Sequence, residues 1–203
     1  MIPAGTRVYL ASRSPRRREL LKQIGVAYEV LLLRERPTRA SDVDESVHPG
    51  ESPEDYVQRV CGAKAAAGWL SVEQRRLRRY PVLAADTAVC LKNRIYGKPL
   101  DRQDAAHMLA ELSGREHRVL TAVALQSGQR IERALSESFV TMRELSAAEI
   151  AAYLNSGEPM DKAGAYAIQG KAAAFIAALR GSYSGVMGLP LFETATLIER
   201  LSR

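Results

Sequence analysis

An aspartate in the middle of an otherwise apolar run is the residue in this chain that most needs a chemical explanation. Val82 to Leu91 reads VLAADTAVCL, with Asp86 and Thr87 at its centre, which is the pattern of a strand buried on both faces. Burying an ionised carboxylate is costly unless a cation, a metal or hydrogen-bond donors compensate it. Asp86 therefore needs a partner, either as a reactive carboxylate in a cleft or as the structural mate of a turn or an arginine. Lys64 shares a helical stripe with Val57 and Val60, at spacings of seven and four, so its ammonium points inward or runs along the core edge. Lys98, fixed between Gly97 and Pro99 just after the Asp86 hairpin, offers a second cation. Each lysine taken alone reads equally well as a surface residue. Asp44 and Glu45 are hard oxygen ligands of the kind Mg²⁺ accepts, although an acidic stretch is usually just solvated.

A second irregularity lies near the N-terminus. Arg16, Arg17 and Arg18 fall in the first turn of an expected helix, where the macrodipole favours carboxylates. The loop Ser12-Arg13-Ser14 ahead of that helix combines hydroxyls, backbone N–H groups and guanidinium forks, a set suited to phosphate. Ser12, Ser14, Arg16 and Arg17 are accordingly candidate phosphate ligands, and Arg18 reads as solvated.

The elements that must position these residues follow from caps and periodicity. Arg7 to Ser12 is an expected strand, and Ser14-Pro15 supplies an N-cap followed by proline at the first helical position. Leu20, Leu21 and Ile24 form that helix's stripe, closed by Gly25, and Val26 to Leu33 is a second strand. Arg34 to Gly50 reads as a polar, mobile loop. Ser52-Pro53 opens a helix whose Tyr56, Val57, Val60, Ala63 and Ala67 keep helical spacing. After Asp86's strand come a turn at Lys92-Asn93-Arg94, a return arm at Ile95 to Gly97, and a helix capped by Asp101 and closed by Gly114. His117 to Leu125 and Ile131 to Met142 form an expected hairpin about Ser127-Gly128. Ser146 and Glu149 make a capping box, Ala172 to Leu179 is a candidate strand, and Leu191 to Leu201 is a closing helix.

Charge and composition bound the function. A net charge of +6 points to anionic partners, nucleic acid or small phosphorylated molecules. The run Arg75, Arg76, Arg78, Arg79 lacks interleaved aromatics apart from Tyr80, so it reads as a solvated connection, with nucleic-acid binding weak and nonspecific if present. The two cysteines, Cys61 and Cys90, are far apart and read as reduced core residues. Charged residues interrupt every apolar run short of the about 20 residues a membrane span needs, and no signal peptide is apparent. The expectation is a soluble cytoplasmic protein, one domain over 1–203. Neither a P-loop nor a dinucleotide fingerprint nor a nucleophile elbow is present, and His48, His107 and His117 lack metal-ligand spacing.

Five segments in order, Leu10-Ala11-Ser12-Arg13-Ser14-Pro15-Arg16-Arg17, Ala85-Asp86-Thr87, Gly97-Lys98-Pro99, Asp161 to Gly170 (DKAGAYAIQG), and Gly181-Ser182-Tyr183 with Gly188-Leu189-Pro190-Leu191, resemble the Maf family over nearly the whole chain. The resemblance implies an α/β fold, a mixed twisted sheet with flanking helices in two lobes around a cleft, similar to the inosine triphosphate pyrophosphatases, and a homodimer. It implies hydrolysis of a nucleoside triphosphate to the monophosphate and pyrophosphate with a divalent metal, Mg²⁺ or Mn²⁺. Asp86 matches the family's general base and Glu45 an acidic position that would share the metal with it. Lys64 and Lys98 match its cleft lysines, and Ser12 and Arg16 its phosphate loop. Arg16, Thr87 and Gln169 stand at positions separating the family's subgroups, and all three favour the one acting on dTTP and UTP. Two departures are visible: the loop from Arg34 to Asp42 is longer than usual, and Lys171-Ala172-Ala173-Ala174 replaces a stretch containing glycine. The competing readings are a non-catalytic nucleotide- or DNA-binding regulator linked to septum formation, and a phosphatase that would release orthophosphate.

Overall fold

The computed structural model of the protein describes residues 2–33 and 42–201. Most of the expected loop between Arg34 and Asp42 thus lies outside the described residues. In chain order the elements are β1 (Arg7–Leu10), α1 (Pro15–Gln23), β2 (Ala27–Val30), α2 (Pro53–Gln74), β3 (Val82–Leu91), β4 (Arg94–Tyr96), α3 (Arg102–Leu112), β5 (Glu116–Ser127), β6 (Arg130–Met142) and α4 (Ala147–Leu154). Three 3-10 turns follow, at Glu158–Asp161, Ala163–Ala165 and Lys171–Phe175, and then β7 (Ile176–Arg180), α5 (Tyr183–Met187) and α6 (Leu191–Leu201).

The strands form one mixed sheet of seven in the order β2-β1-β3-β5-β6-β7, with β4 added beside β3. β1 runs parallel to both β2 and β3, whereas the β3–β5, β5–β6 and β6–β7 pairs are antiparallel. Alternation along β3 sends successive side chains to opposite faces. Ala84, Ala88 and Cys90 pack with α2 residues Val57, Cys61 and Ala65. Leu83 and Ala85 pack on the other face with Leu20, Leu21 and Leu197. Asp86 shares its parity with Ala84 and Ala88, so it emerges on the α2 side.

Local signals account for the helices. Ser14 accepts from the Arg17 N–H and Ser52 from the Asp55 N–H, each followed by proline, and Glu54 and Asp55 suit the positive end of α2. Ser146 and Glu149 form the reciprocal capping box. The buried face of α2 carries Val57, Val60, Cys61, Ala65, Gly68, Trp69 and Val72; it includes the expected Val57 and Val60, whereas the expected Tyr56, Ala63 and Ala67 are only half-buried. A Cβ on Gly68 would lie 2.7 Å from Val82 Cγ1, so glycine is required where α2 packs on that residue of β3.

Two further boundaries differ from expectation. The second strand covers Ala27–Val30 only. The stretch from Ala172 is not strand at its start: Lys171–Phe175 is a 3-10 turn, because the Glu158 carboxylate accepts the Lys171 N–H at 3.0 Å and the Ala172 N–H at 3.5 Å and so caps a turn there. The arginines at 75, 76, 78 and 79 are exposed as expected, and Cys61 and Cys90 are free and buried. Among the described residues no helix is long and apolar enough to cross a membrane.

Candidate active site

β1 accompanies β3 only as far as Leu83, where the Ala11 N–H reaches the Leu83 carbonyl at 2.9 Å. β4 joins the same edge only from Val89. Between them, among the described residues, 84–88 are paired on the β5 side alone, and a cleft of about 730 Å³ opens into the gap. Beyond the carboxyl ends of strands is the usual ligand position in α/β sheets, and the volume is that of a small-molecule site. Ser12, Ser14, Arg16 and Arg17 from the β1–α1 turn, Glu45, Lys64 from α2, Asp86 and Thr87 from β3, Lys98, and Gln169 all line it. Of the site residues expected from sequence, all but Asp44 are therefore brought to one cavity.

Asp86 forms the floor and is 7% exposed. The Lys64 ammonium donates to its carboxylate at 2.7 Å and stands 3.0 Å from Glu45 Oε1. Burial pushes the Asp86 carboxyl above the ordinary carboxylate range, against the opposing pull of Lys64. The Lys64 ammonium is itself disfavoured by burial, but the Asp86 and Glu45 charges outweigh this and raise its pKa. A carboxylate with raised basicity, aimed into a cleft, is suited to accept a proton.

Glu45 is held from α2. Tyr56 donates its hydroxyl to the Glu45 carbonyl at 3.1 Å. Arg59 donates to the Asp44 carbonyl at 3.0 Å and the Ser46 carbonyl at 2.7 Å while its Nε bonds Glu51 at 2.6 Å. Asp44, the other acidic candidate, is not part of the site: its carboxylate accepts from the Ser46 N–H and hydroxyl at 2.9 and 2.7 Å. Those bonds draw its carboxyl down to about 2.

The two carboxylates that meet at Lys64 form a hard-oxygen donor pair. Among the described residues no group of three or more His, Cys, Asp or Glu could hold an ion alone. Mg²⁺ is commonly bound by one or two carboxylates with substrate phosphates and water completing the shell, and the Glu45–Asp86 pair fits that use.

Arg16, Lys98 and Gln169 also line the cleft, and among the described residues none of them makes a side-chain hydrogen bond or ion pair. Ser14 accepts the Arg17 N–H as the α1 cap, which uses a lone pair and leaves its hydroxyl proton. Arg17 is engaged with protein: its Nε donates to the Gly188 carbonyl at 2.7 Å, Nη1 to Ser12 Oγ at 3.2 Å and Nη2 to Thr87 Oγ1 at 3.3 Å.

A family model described as Maf-like protein matches residues 7–201. The chain belongs to the Maf family. Curated relatives include proteins named dTTP/UTP pyrophosphatase from Nitrosomonas europaea, 58% identical over 97% of this chain and 95% of that protein, and from Aromatoleum aromaticum, 57% identical over 98% and 97%. One from Cupriavidus pinatubonensis is 55% identical over 95% and 96%. A solved structure, the Ham1 protein of Staphylococcus aureus, gives a TM-score of 0.40 at 15% identity over 70% of this chain and 73% of that one, a likeness on which nothing rests.

In this Maf-family cleft, several residues carry no signal in the sequence. Tyr56 and Arg59 read as ordinary helix positions, and only the return of the 44–51 segment onto α2 reveals them as the anchors of Glu45. Thr121, a buried strand threonine that donates to the Gly185 carbonyl at 2.8 Å, has a polar side chain in an apolar strand as its one clue. Lys162, which lines the Maf cleft and pairs with Asp161, stood inside a recognised motif without a role.

Proposed function

We propose that this protein hydrolyses a pyrimidine nucleoside triphosphate, dTTP or UTP, to the monophosphate and pyrophosphate. The observation that carries the reading is the buried Asp86 carboxylate, raised in basicity, in a cleft that Arg16 and Lys98 also line. The names of the relatives from Nitrosomonas and Aromatoleum support the same reaction and the same bases.

In this reading the triphosphate lies along the β1–α1 turn, with Arg16, Lys98 and the Ser12 hydroxyl on its phosphate oxygens. Asp86 takes a proton from a water molecule as its oxygen bonds to the α-phosphorus. The bond from that phosphorus to the bridging oxygen breaks, its electron pair leaves with pyrophosphate, and Asp86 returns the proton to solvent. Arg16, Lys64 and Lys98 offset the charge that develops on the leaving group. Glu45 and Asp86 would hold Mg²⁺ or Mn²⁺, which when bound supplies charge neutralisation and orientation. Gln169 would read the pyrimidine edge. A homodimer belongs to the reading on the strength of the family resemblance.

The test is incubation of purified protein and Mg²⁺ or Mn²⁺ with dTTP, UTP, CTP and GTP, both products being resolved by chromatography. Pyrophosphate with TMP or UMP, lost in Asp86→Asn, is the expected result. Orthophosphate, or full turnover by Asp86→Asn, would overturn the assignment.

A further inference from the structure

Glu158 follows α4 and is not among the residues that line the cleft, yet its carboxylate gathers three donors. Tyr153 of α4 gives its hydroxyl at 2.9 Å, and the Lys171 and Ala172 N–H groups approach at 3.0 and 3.5 Å. An ionised carboxylate only accepts, through two oxygens with two lone pairs each, so it takes all three at once. Gly170 lies against the same group: a Cβ there would stand 2.6 Å from Glu158 Oε1, and the Gly170 φ is +150°. Any side chain at position 170 would push the carboxylate off these N–H groups.

Tyr153 ties this carboxylate to the rest of the fold. Its ring is buried and meets Phe175 edge-on with centroids 5.3 Å apart, so it also holds the far end of the 3-10 turn Lys171–Phe175. Burial, then the hydrogen bond to Glu158 and its charge, push the Tyr153 phenol up, so it keeps its proton and donates. On the N-terminal side of Gln169, Ala167 and Ile168 are buried. Gln169 thus stands exposed between a packed pair of residues and a turn held by hydrogen bonds.

We propose that Glu158, backed by Tyr153, is a positioning residue for base recognition: it fixes the chain on the C-terminal side of Gln169 and so the place from which that amide reaches the base. The inference rests on the reading above, in which Gln169 reads the pyrimidine edge. A side-chain amide has donors at one end and an acceptor at the other, so it tells bases apart only when its origin is fixed. Gln169 has no side-chain partner of its own among the described residues, which leaves its backbone to supply that. Glutamine cannot replace Glu158. Whichever way its amide is turned, the NH₂ end faces one of the two backbone N–H groups, which loses its acceptor.

Steady-state kinetics with dTTP and dGTP at saturating Mg²⁺ test this, since the two share sugar and triphosphate and differ in the base. Gln169→Ala is expected to raise the dTTP KM about ten-fold, the loss of one hydrogen-bonded contact. The change in kcat should be smaller, because a base contact is made in ground and transition states alike. Glu158→Gln should reproduce that rise, change kcat/KM for dGTP much less, and add nothing in the Gln169→Ala background. Wild-type preference for dTTP in Glu158→Gln, equal losses on both substrates, or costs that multiply in the double variant overturn the role of Glu158. Should Glu158→Gln fail to fold, Tyr153→Phe gives a second arm, since it keeps the ring on Phe175 and removes only the hydroxyl. It should raise the dTTP KM by a smaller factor, an effect absent in the Gln169→Ala background, and an unchanged KM overturns the inference. Preference lost in Gln169→Ala but kept in the other two variants upholds the functional reading and overturns this inference alone. A wild type without preference for dTTP, or a Gln169→Ala variant that keeps it, overturns base reading by Gln169 and the role of Glu158 together.

Discussion

Lys64 and Asp86 meet at 2.7 Å on the floor of the cleft, where the ammonium is the main force opposing the rise in carboxyl pKa that burial imposes. Removing the ammonium removes that opposition. Lys64→Met is therefore expected to shift the acid limb of the kcat/KM profile to higher pH, since Asp86 must be ionised to act as base. Activity at neutral pH should fall by about 10²–10⁴, the range for losing efficient general-base catalysis. An acid limb unmoved in Lys64→Met would mean that the pair is not coupled as the geometry implies.

Asp86 also constrains stability. A carboxyl whose folded pKa exceeds its unfolded value of about 3.9 makes the folded state bind more protons. The penalty is absent below that pH, grows as pH rises through the folded pKa, and is complete above it. Asp86→Asn removes the penalty, so it should melt at a higher temperature than the wild type near neutral pH while losing turnover. The difference should vanish below about pH 4. Scanning calorimetry at both ends of the range checks this.

Arg59 acts on the site without touching the cleft floor. It binds two carbonyls and Glu51 on the segment that carries Glu45. Arg59→Lys keeps the charge and loses the fork, so Glu45 should be held less firmly. Supporting-shell changes typically cost about 10–100-fold in metal affinity. The expected outcome is a rise of that order in the Mg²⁺ concentration giving half-maximal activity, with kcat at saturating metal changing much less. A titration of activity against Mg²⁺ at fixed dTTP measures it.

His117 shares a 2.8 Å hydrogen bond with the Tyr166 hydroxyl behind the cleft wall. Burial pushes its pKa down to about 4, below the about 6.5 of an unfolded chain. The unfolded state therefore binds the proton first, and stability is lost as pH falls from about 6.5 toward 4. His117→Phe should flatten that slope while lowering stability at pH 7 through the lost bond to Tyr166. Urea midpoints at pH 7 and pH 4.5 for both proteins separate the two effects.

Elements with strong local signals were legible from the chain alone. Ser14-Pro15, Ser52-Pro53, Asp101 and the Ser146–Glu149 box mark helix starts where the structure has them, because a cap is a contact between residues three apart. The β5–β6 hairpin was visible for the same reason: its turn and alternation are local. Asp86 stood out because a carboxylate in an apolar strand breaks a rule that holds at each residue separately. The face of α2 was legible only in part, Val57 and Val60 being buried and Ala63 and Ala67 half-buried, because helical periodicity alone allows more than one stripe and does not reveal the close approach of Gly68 to Val82.

What the sequence by itself determined is the inventory: a buried carboxylate, an inward lysine and a second lysine after the hairpin, a basic turn before a helix, and the motifs that place the chain in the Maf family. Only the tertiary structure decided which of these act together. The interval on β3 where β1 has ended and β4 has not begun makes the cleft, and it arises from strand lengths in separate parts of the chain. Arg17 reaches Gly188 across 171 positions, and Glu45 depends on Tyr56 and Arg59 for its place. Hydrogen bonds of that kind depend on distance and direction in space, which residue types and spacing do not encode locally.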